Sequence, residues 1–425
     1  MAHQVALTVV ADLEPSEHER LARVLEGMGD GLANGSVLDF GQLSRVHFGR
    51  LLVLDETRDL RGEVVPASLL LMTEVDAPLE GHIRELATVT GAGLDELFGG
   101  CAGYPPPGAR TPEARADYLR RQRVREAAVY VNTIGRTRDQ VEREARLRES
   151  IEAFLDGSQE RWAGGDAAQV RAAVQEHVRG DPELTWALRA PERPGLRWRV
   201  ANAVDLVGVP LVALLLMPFA ILAALPMIVL LRVHERRDES PHVKPSAEHA
   251  RALAELEDRA AQNAFTAVGF VKPGPFRRFL IVAILRAAYW ATRHVFAKGD
   301  LAGVKTIHFA RWVFLNDRRR VIFVSNYDGS LESYMDDFID KVAWGLNGVF
   351  SNGIGYPRTN WLVLDGAHDE LHFKDYLRHH QVPTRVWYTA YPHLTARNIA
   401  NNASVRAGLT GSLSQEETTE WARRL

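Results

Sequence analysis

The 425-residue chain is 46% hydrophobic and 25% charged, with a formal net charge of −3. Such a chain has material for two or three cores at roughly 150 residues per domain, and no positive field that would recruit nucleic acid. One cysteine, Cys101, excludes an intrachain disulfide and a thiolate metal cluster.

The opening MAHQVALTVVADLEPSEHER has no basic stretch followed by an apolar one, so no secretory signal is expected, and the compartment reads as bacterial-type cytoplasm or its membrane face. HQVALTVVADL predicts a strand and PSEHERLARVLEGMG a helix. RVHFGRLLVLDE and ASLLLMTEV are apolar, β-rich runs split by a polar loop, the pattern of a hairpin. A helix follows from Pro78 to Phe98, stopped by Gly99-Gly100. DYLRRQ then leads to a last strand, REAAVYVNT. The order β-α-β-β-α-β is that of a ferredoxin-like unit.

The same order returns in the second half. KTIHFARWVFLND aligns with SRVHFGRLLVLDE, pairing His308 with His47 and Arg311 with Arg50 at an offset of 261 (308 − 47). Asp328 then pairs with Asp76, Glu332 with Glu80 and Gly355-Tyr356-Pro357 with Gly103-Tyr104-Pro105, at an offset of 252 (328 − 76). The first copy holds a longer loop around Thr57–Pro66. DYLR recurs at Asp117 and Asp375, at an offset of 258 (375 − 117). Matches kept in one order imply an internal duplication. The expected fold is α+β: two ferredoxin-like repeats, 1–135 and 262–410, packed as a pseudo-dimeric α+β barrel.

Different sequence separates the repeats: a charged helical linker over 136–200, a hydrophobic segment over 201–237 and a polar linker helix over 238–261. A tail, 411–425, closes the chain. Leu206 to Leu231 has no charged side chain, enough for one membrane span and too little for two. Pro210, Pro218 and Pro226 interrupt it, and Arg193, Arg197, Arg199, Arg232, Arg236 and Arg237 flank it. Basic residues on both flanks favour two cytoplasmic ends, so a hairpin bending near Pro218 is expected. A single span, a buried core helix and an oligomer interface are the alternatives. The helix from Phe276 to Phe296 mixes arginines with large apolar residues, which suits either an interfacial helix or the packing helix of the second repeat.

The densest polar cluster is SNYDGSLESYMDDFIDK, where a strand meets a helix. Asp328 and Ser330 are placed to cap that helix. Asp336, Asp337 and Asp340 read as a solvated face, since no histidine completes a ligand set. Strand alternation puts His308 and Ala310 on one face and Phe309 and Arg311 on the other. A histidine kept in both copies is more often structural than a ligand. Arg311, if turned inward, could stabilise an anion. His379 and His380 close a helix, where histidine complements the helix terminus, and they belong to the second copy only.

The two ferredoxin-like halves and the turn Ser325-Asn326-Tyr327-Asp328-Gly329 resemble the dye-decolourising peroxidases of the dimeric α+β barrel superfamily. That family's motif is GxxDG; its first glycine is Ser325 here. The resemblance implies haem as cofactor, Asp328 as the distal acid that moves a peroxide proton, Arg311 or Arg385 as the distal arginine, and His379 or His380 as iron ligand. Asn326 and His308 are further candidates beside them. IHFARWV, SNYDGSLESYMDDFIDK and VPTRVWYTAYP also resemble a bacterial protein family, a likeness that implies no activity.

The function expected is therefore a membrane-associated, haem peroxidase-like oxidoreductase acting on a lipophilic small molecule. The alternatives are a non-catalytic lipid- or membrane-binding scaffold and a cofactor-free monooxygenase. The expected location is the cytoplasmic face of the inner membrane, monotopic or re-entrant. Expected partners are membrane lipid and no nucleic acid, with a homo-oligomer left open.

Overall fold

A computed structural model describes residues 3–29, 37–157, 166–258 and 260–425. Part of the charged linker, 158–165, thus lies outside the described residues. The first half contains β1 (Gln4–Asp12), α1 (His18–Gly29), β2 (Val46–Leu54), β3 (Ser68–Asp76), α2 (Leu79–Val89), α3 (Gly91–Phe98), α4 (Pro112–Arg121) and β4 (Glu126–Val131). Then come α5 (Arg138–Asp156), α6 (Ala167–Gly180), α7 (Leu196–Arg237) and α8 (Ala247–Ala254). The second half contains β5 (Gln262–Phe270), α9 (Pro275–His294), β6 (Ile307–Leu315), β7 (Arg320–Asp328), α10 (Leu331–Phe350), α11 (Glu370–His380), β8 (Val386–Thr389), α12 (Ala396–Gly408) and α13 (Gln415–Ala422).

The main strands form two antiparallel four-stranded sheets, ordered β1-β3-β2-β8 and β5-β7-β6-β4. The fourth strand of each is exchanged: β8, from the end of the chain, pairs with β2, and β4 pairs with β6. Neither half therefore completes its sheet alone. The sheets face one another, with Leu52, Leu54, Leu70 and Met72 packed on Val313, Leu315, Ile322 and Val324. Each such leucine or isoleucine, fully buried, contributes roughly 1.5–3 kcal/mol. Helices cover the outer faces: Leu21, Ile83, Leu94 and Leu119 pack on the first sheet, and Ile281, Phe338 and Phe373 on the second. The central strands β3 and β7 are buried along all nine residues, which explains their continuous apolar runs.

The expected closed barrel does not form. At the corners the chain makes single bridges, Val9 to Arg123 and Ala267 to Gln381, before crossing to the other sheet as β4 or β8. Residues 125 and 383–385 are used to turn between sheets, so no continuous ladder joins them. The longer first-half loop folds into a small hairpin, Thr57–Arg58 against Val64–Val65, whose Asp59 and Glu63 bind Arg319 at 2.7 and 2.8 Å.

The hydrophobic segment is not a hairpin. α7 runs unbroken for 42 residues through Pro210, Pro218 and Pro226, about 63 Å at 1.5 Å per residue. Proline removes one donor and pushes against the preceding turn, which bends a helix without having to end it, and long apolar helices tolerate it. Both ends of α7 rest on the same body. Near its start, Trp198 stacks on His3, and Arg293 of α9 binds Asp205 at 3.2 Å and Asn202 at 3.1 Å. Near its end, Arg232 lies over Trp361, His234 stacks on Phe276, and buried Glu235 accepts the Leu362 and Trp361 amides at 2.6 and 3.2 Å. Between these anchors, residues 209–226 are exposed on every side, with Leu215 at 74% and Leu222 at 77%. α9 is a packing helix: Arg277, Ile281, Leu285 and Thr292 are buried, Arg277 against Asp238.

Candidate functional site

Buried His47, Arg50, His308 and Arg311 come together where β2 and β6 face each other. Both strands slip register at their histidine, between Val46 and Phe48 and between Ile307 and Phe309. Such a bulge breaks simple alternation and re-aims a side chain. His308 and Phe309 thus both turn toward the facing sheet, correcting the strict alternation expected from the sequence. His47 lies 5.5 Å from the Phe309 ring, and His308 lies 5.4 Å from Phe48, a reciprocal arrangement around the Phe48–Phe309 contact.

Each histidine is held by the aspartate that ends the neighbouring strand. His308 Nε2 is 2.7 Å from Asp328 Oδ1, and His47 Nε2 is 3.0 Å from Asp76 Oδ1. The other carboxylate oxygens accept backbone amides: Asp328 from Ala396 at 2.8 Å and Asp76 from Arg138 at 2.9 Å. These amides open α12 and α5, where unpaired N–H groups favour a carboxylate. Asp328 therefore serves α12 and not α10, the helix that follows it in sequence. Ser330 alone of the expected pair caps α10, accepting from Ser333. Tyr391 breaks the symmetry. Its hydroxyl lies 2.8 Å from His47 Nδ1, and burial keeps the phenol well above its usual pKa, so the hydroxyl stays protonated beside the ring. The adjoining cavity, about 30 Å³ between His47, His308, Phe309, Tyr391, Asn132 and Arg136, has room for a water and little more.

Two arginines cross between the sheets beside this centre. Arg50 donates to Phe265 O at 3.0 Å, Thr266 Oγ1 at 2.9 Å, Ser325 O at 3.1 Å and the Asn326 side chain. Arg311 donates to Leu7 O at 2.9 Å, Thr8 Oγ1 at 3.2 Å and Thr73 O at 3.4 Å, and lies 3.2 Å from Glu74. Both guanidiniums are fully buried. Burial lowers Arg50 to about 10, against the pull of Glu74. Glu74 is the carboxylate both arginines share, and its counterpart at the same offset (326 − 74 = 252) is the uncharged Asn326.

The candidate residues thus separate. Asp328 and His308 meet; Asn326 meets Arg50 and the Trp387 indole, at 2.9 Å from the latter. Arg311 is committed to the opposite sheet. Arg385 is on the surface, 3.5 Å from Glu26. His379 and His380 lie at the far end of the second sheet, where His380 Nδ1 contacts Tyr376 O at 2.9 Å and the ring sits against Gly269. Gly269 is seven residues along the ladder from the Gln262–Asp328 pair, about 23 Å at 3.3 Å per residue. Burial lowers His380 to about 4. A haem pocket needs several hundred Å³. With both histidines remote from Asp328 and so little space beside His308, these residues do not fit a haem. Asp336 joins Glu332 and Glu370 in a surface group, but Lys374 occupies its middle, 2.7 Å from Asp336 and 2.6 Å from Glu370.

Sequence reasoning passed over Glu74 and Trp387. The offset expected to pair Asp76 with Asp328 also sets Glu74 against Asn326 (326 − 74 = 252), a signal present in the sequence. Comparison of the chain with protein-family models, with curated proteins and with solved structures finds no match to any of them.

Proposed function

We propose that this chain is a non-catalytic membrane-surface protein that binds lipid through α7, with its two halves derived from one duplicated ferredoxin-like unit. The observation that carries the reading is the apolar, all-round exposure of α7 between two anchors on a single body. A stretch so large and apolar is covered by another phase or partner in use. Strand exchange ties residues on both sides of α7 into the same two sheets. Crossing the bilayer once would pull those sheets apart, so the helix, apolar on every side, sinks below the headgroups of one leaflet, with its basic flanks at the cytoplasmic surface. The oxidoreductase reading gains no support from the polar centre, because Asp328 and His308 bond each other and the cavity beside them holds about 30 Å³.

Flotation with phosphatidylcholine vesicles tests this. The full chain is expected to float. Leu215→Arg with Leu222→Arg, at two exposed positions, is expected to stay in the lower fraction with unchanged circular dichroism. Two charges cost about 5–7 kcal/mol on an insertion scale, so partition falls by at least about a thousandfold. A wild-type chain that stays soluble without detergent as a dimer would overturn the reading in favour of a second copy covering α7.

A further inference from the structure

A cavity of about 680 Å³ opens where the edge strand of the first sheet, β1, meets that of the second, β4. It lies between the Val9–Arg123 bridge and the contacts of Gln4 with Gly135 and Arg136. α9 forms one wall, and Trp198 from the base of α7 forms part of the rim. Four arginines line it, Arg123, Arg125, Arg286 and Arg293, against one carboxylate, Glu126. Glu126 is shared: it lies 4.0 Å from Arg123, 3.9 Å from buried Arg311 and 3.3 Å from the Thr8 hydroxyl. Arg293 has Asp205 at the rim. Arg125 and Arg286 have no ionic partner among the described residues. Two buried nitrogens at the cavity, Arg123 Nε and His3 Nδ1, have no hydrogen-bond partner among the described residues.

Arg125 and Arg286 are exposed residues on the lining of one cavity, and an anion between them would offset their like charge. Arginine's planar donors suit phosphate oxygens in particular. The volume matches a small-molecule or headgroup site. Its position matters equally: the uncharged run of α7 starts at Leu206, directly after the Asp205 anchor. A phosphate held by Arg125 and Arg286 would leave an attached chain beside the apolar helix. We propose that this cavity binds the phosphate group of an anionic amphiphile, with the acyl chain continuing along α7. The lipid source rests on the membrane reading above; the phosphate chemistry does not.

The test uses the full chain and two charge-matched double variants, Arg125→Glu with Arg286→Glu in the cavity and Arg236→Glu with Arg237→Glu at the far flank of α7. Vesicle binding is measured with phosphatidylcholine alone and with phosphatidylglycerol added. Thermal stability is measured in inorganic phosphate and in chloride at matched ionic strength. The expected result is a gain of about tenfold on the anionic vesicles, lost in the cavity variant and kept in the flank variant. Equal loss in both variants would reduce the effect to general surface attraction and overturn the proposal. So would a full gain retained by the cavity variant, although flotation itself would then still stand. If the wild type binds neither vesicle, the membrane reading has failed and phosphate decides the cavity. Stabilisation lost only in the cavity variant supports a phosphate site filled from solution, and no stabilisation overturns it.

Discussion

Glu74 shows how much one residue can hold. Its carboxylate lies 3.2 Å from Arg311 and acts electrostatically on Arg50, so removing its charge leaves Arg311 with Glu126 alone and takes from buried Arg50 the carboxylate that acts on it. Glu74→Gln is expected to cost about 3–5 kcal/mol in denaturant unfolding. A loss below about 1 kcal/mol would mean that Glu126 and backbone carbonyls suffice. Asp328→Asn addresses the polar centre. The carboxylate accepts from both His308 and the Ala396 amide, and an amide side chain can keep only one of those acceptor roles. We expect about 1–3 kcal/mol of destabilisation, shared by Asp76→Asn in the other half. Unchanged stability would remove the structural assignment and reopen a chemical one. Burial also lowers two histidines, His82 to about 3 and His380 to about 4. The unfolded chain therefore binds their protons first. Their contribution is complete above about pH 6.5 and is lost as pH falls through 6.5 toward 4 and then 3. His82→Gln keeps an acceptor for the Thr73 hydroxyl at 2.9 Å in the native structure. It should flatten the fall in unfolding midpoint between about pH 7 and about pH 4.5; an identical slope would rule His82 out as a source of acid sensitivity.

At the scale of elements, correct local readings gave way where neighbours intervened. The strands of β2, β3, β6 and β7 were legible from their apolar runs, and α10 from its Ser330 cap. The bulges at His47 and His308 were not, because a register slip is decided by the partner strand. α7 was read as apolar from composition, but its continuity was hidden behind three prolines that ordinarily mark breaks. A proline lowers helix stability by about 3 kcal/mol in water, so the unbroken helix depends on its surroundings and on anchors at both ends. Pro218→Ala is expected to leave vesicle flotation unchanged, since no bend at that residue is required. A lost or inverted membrane association would restore the hairpin.

At the scale of the whole molecule, the exchange of β4 and β8 makes the two halves mutually dependent. Each half alone lacks the strand that pairs with β2 or β6, and exposes the apolar inner face of its sheet. Residues 1–195 and 239–425, expressed separately, are expected to aggregate. Co-expressed, they should co-purify, because the sheets need no peptide link through α7. A first half that is monomeric and cooperatively folded alone would show that β4 can return to its own sheet. The same interleaving holds both flanks of α7 against one pair of sheets, a constraint that neither flank carries by itself.

Periodicity alone determined the order of the main strands and the long apolar segment, because these depend on neighbours close in sequence. It gives His308 and Asp328 a matching residue each, His47 and Asp76, but does not place them together. Only the tertiary structure decided which sheet each fourth strand joined, whether Arg311 faced solvent or a second sheet, and that His379 and His380 lay far from Asp328. Those outcomes depend on how two apolar faces cover one another and satisfy buried charge. Such contacts join residues more than two hundred positions apart, as between Arg50 and Phe265, and no local pattern records them.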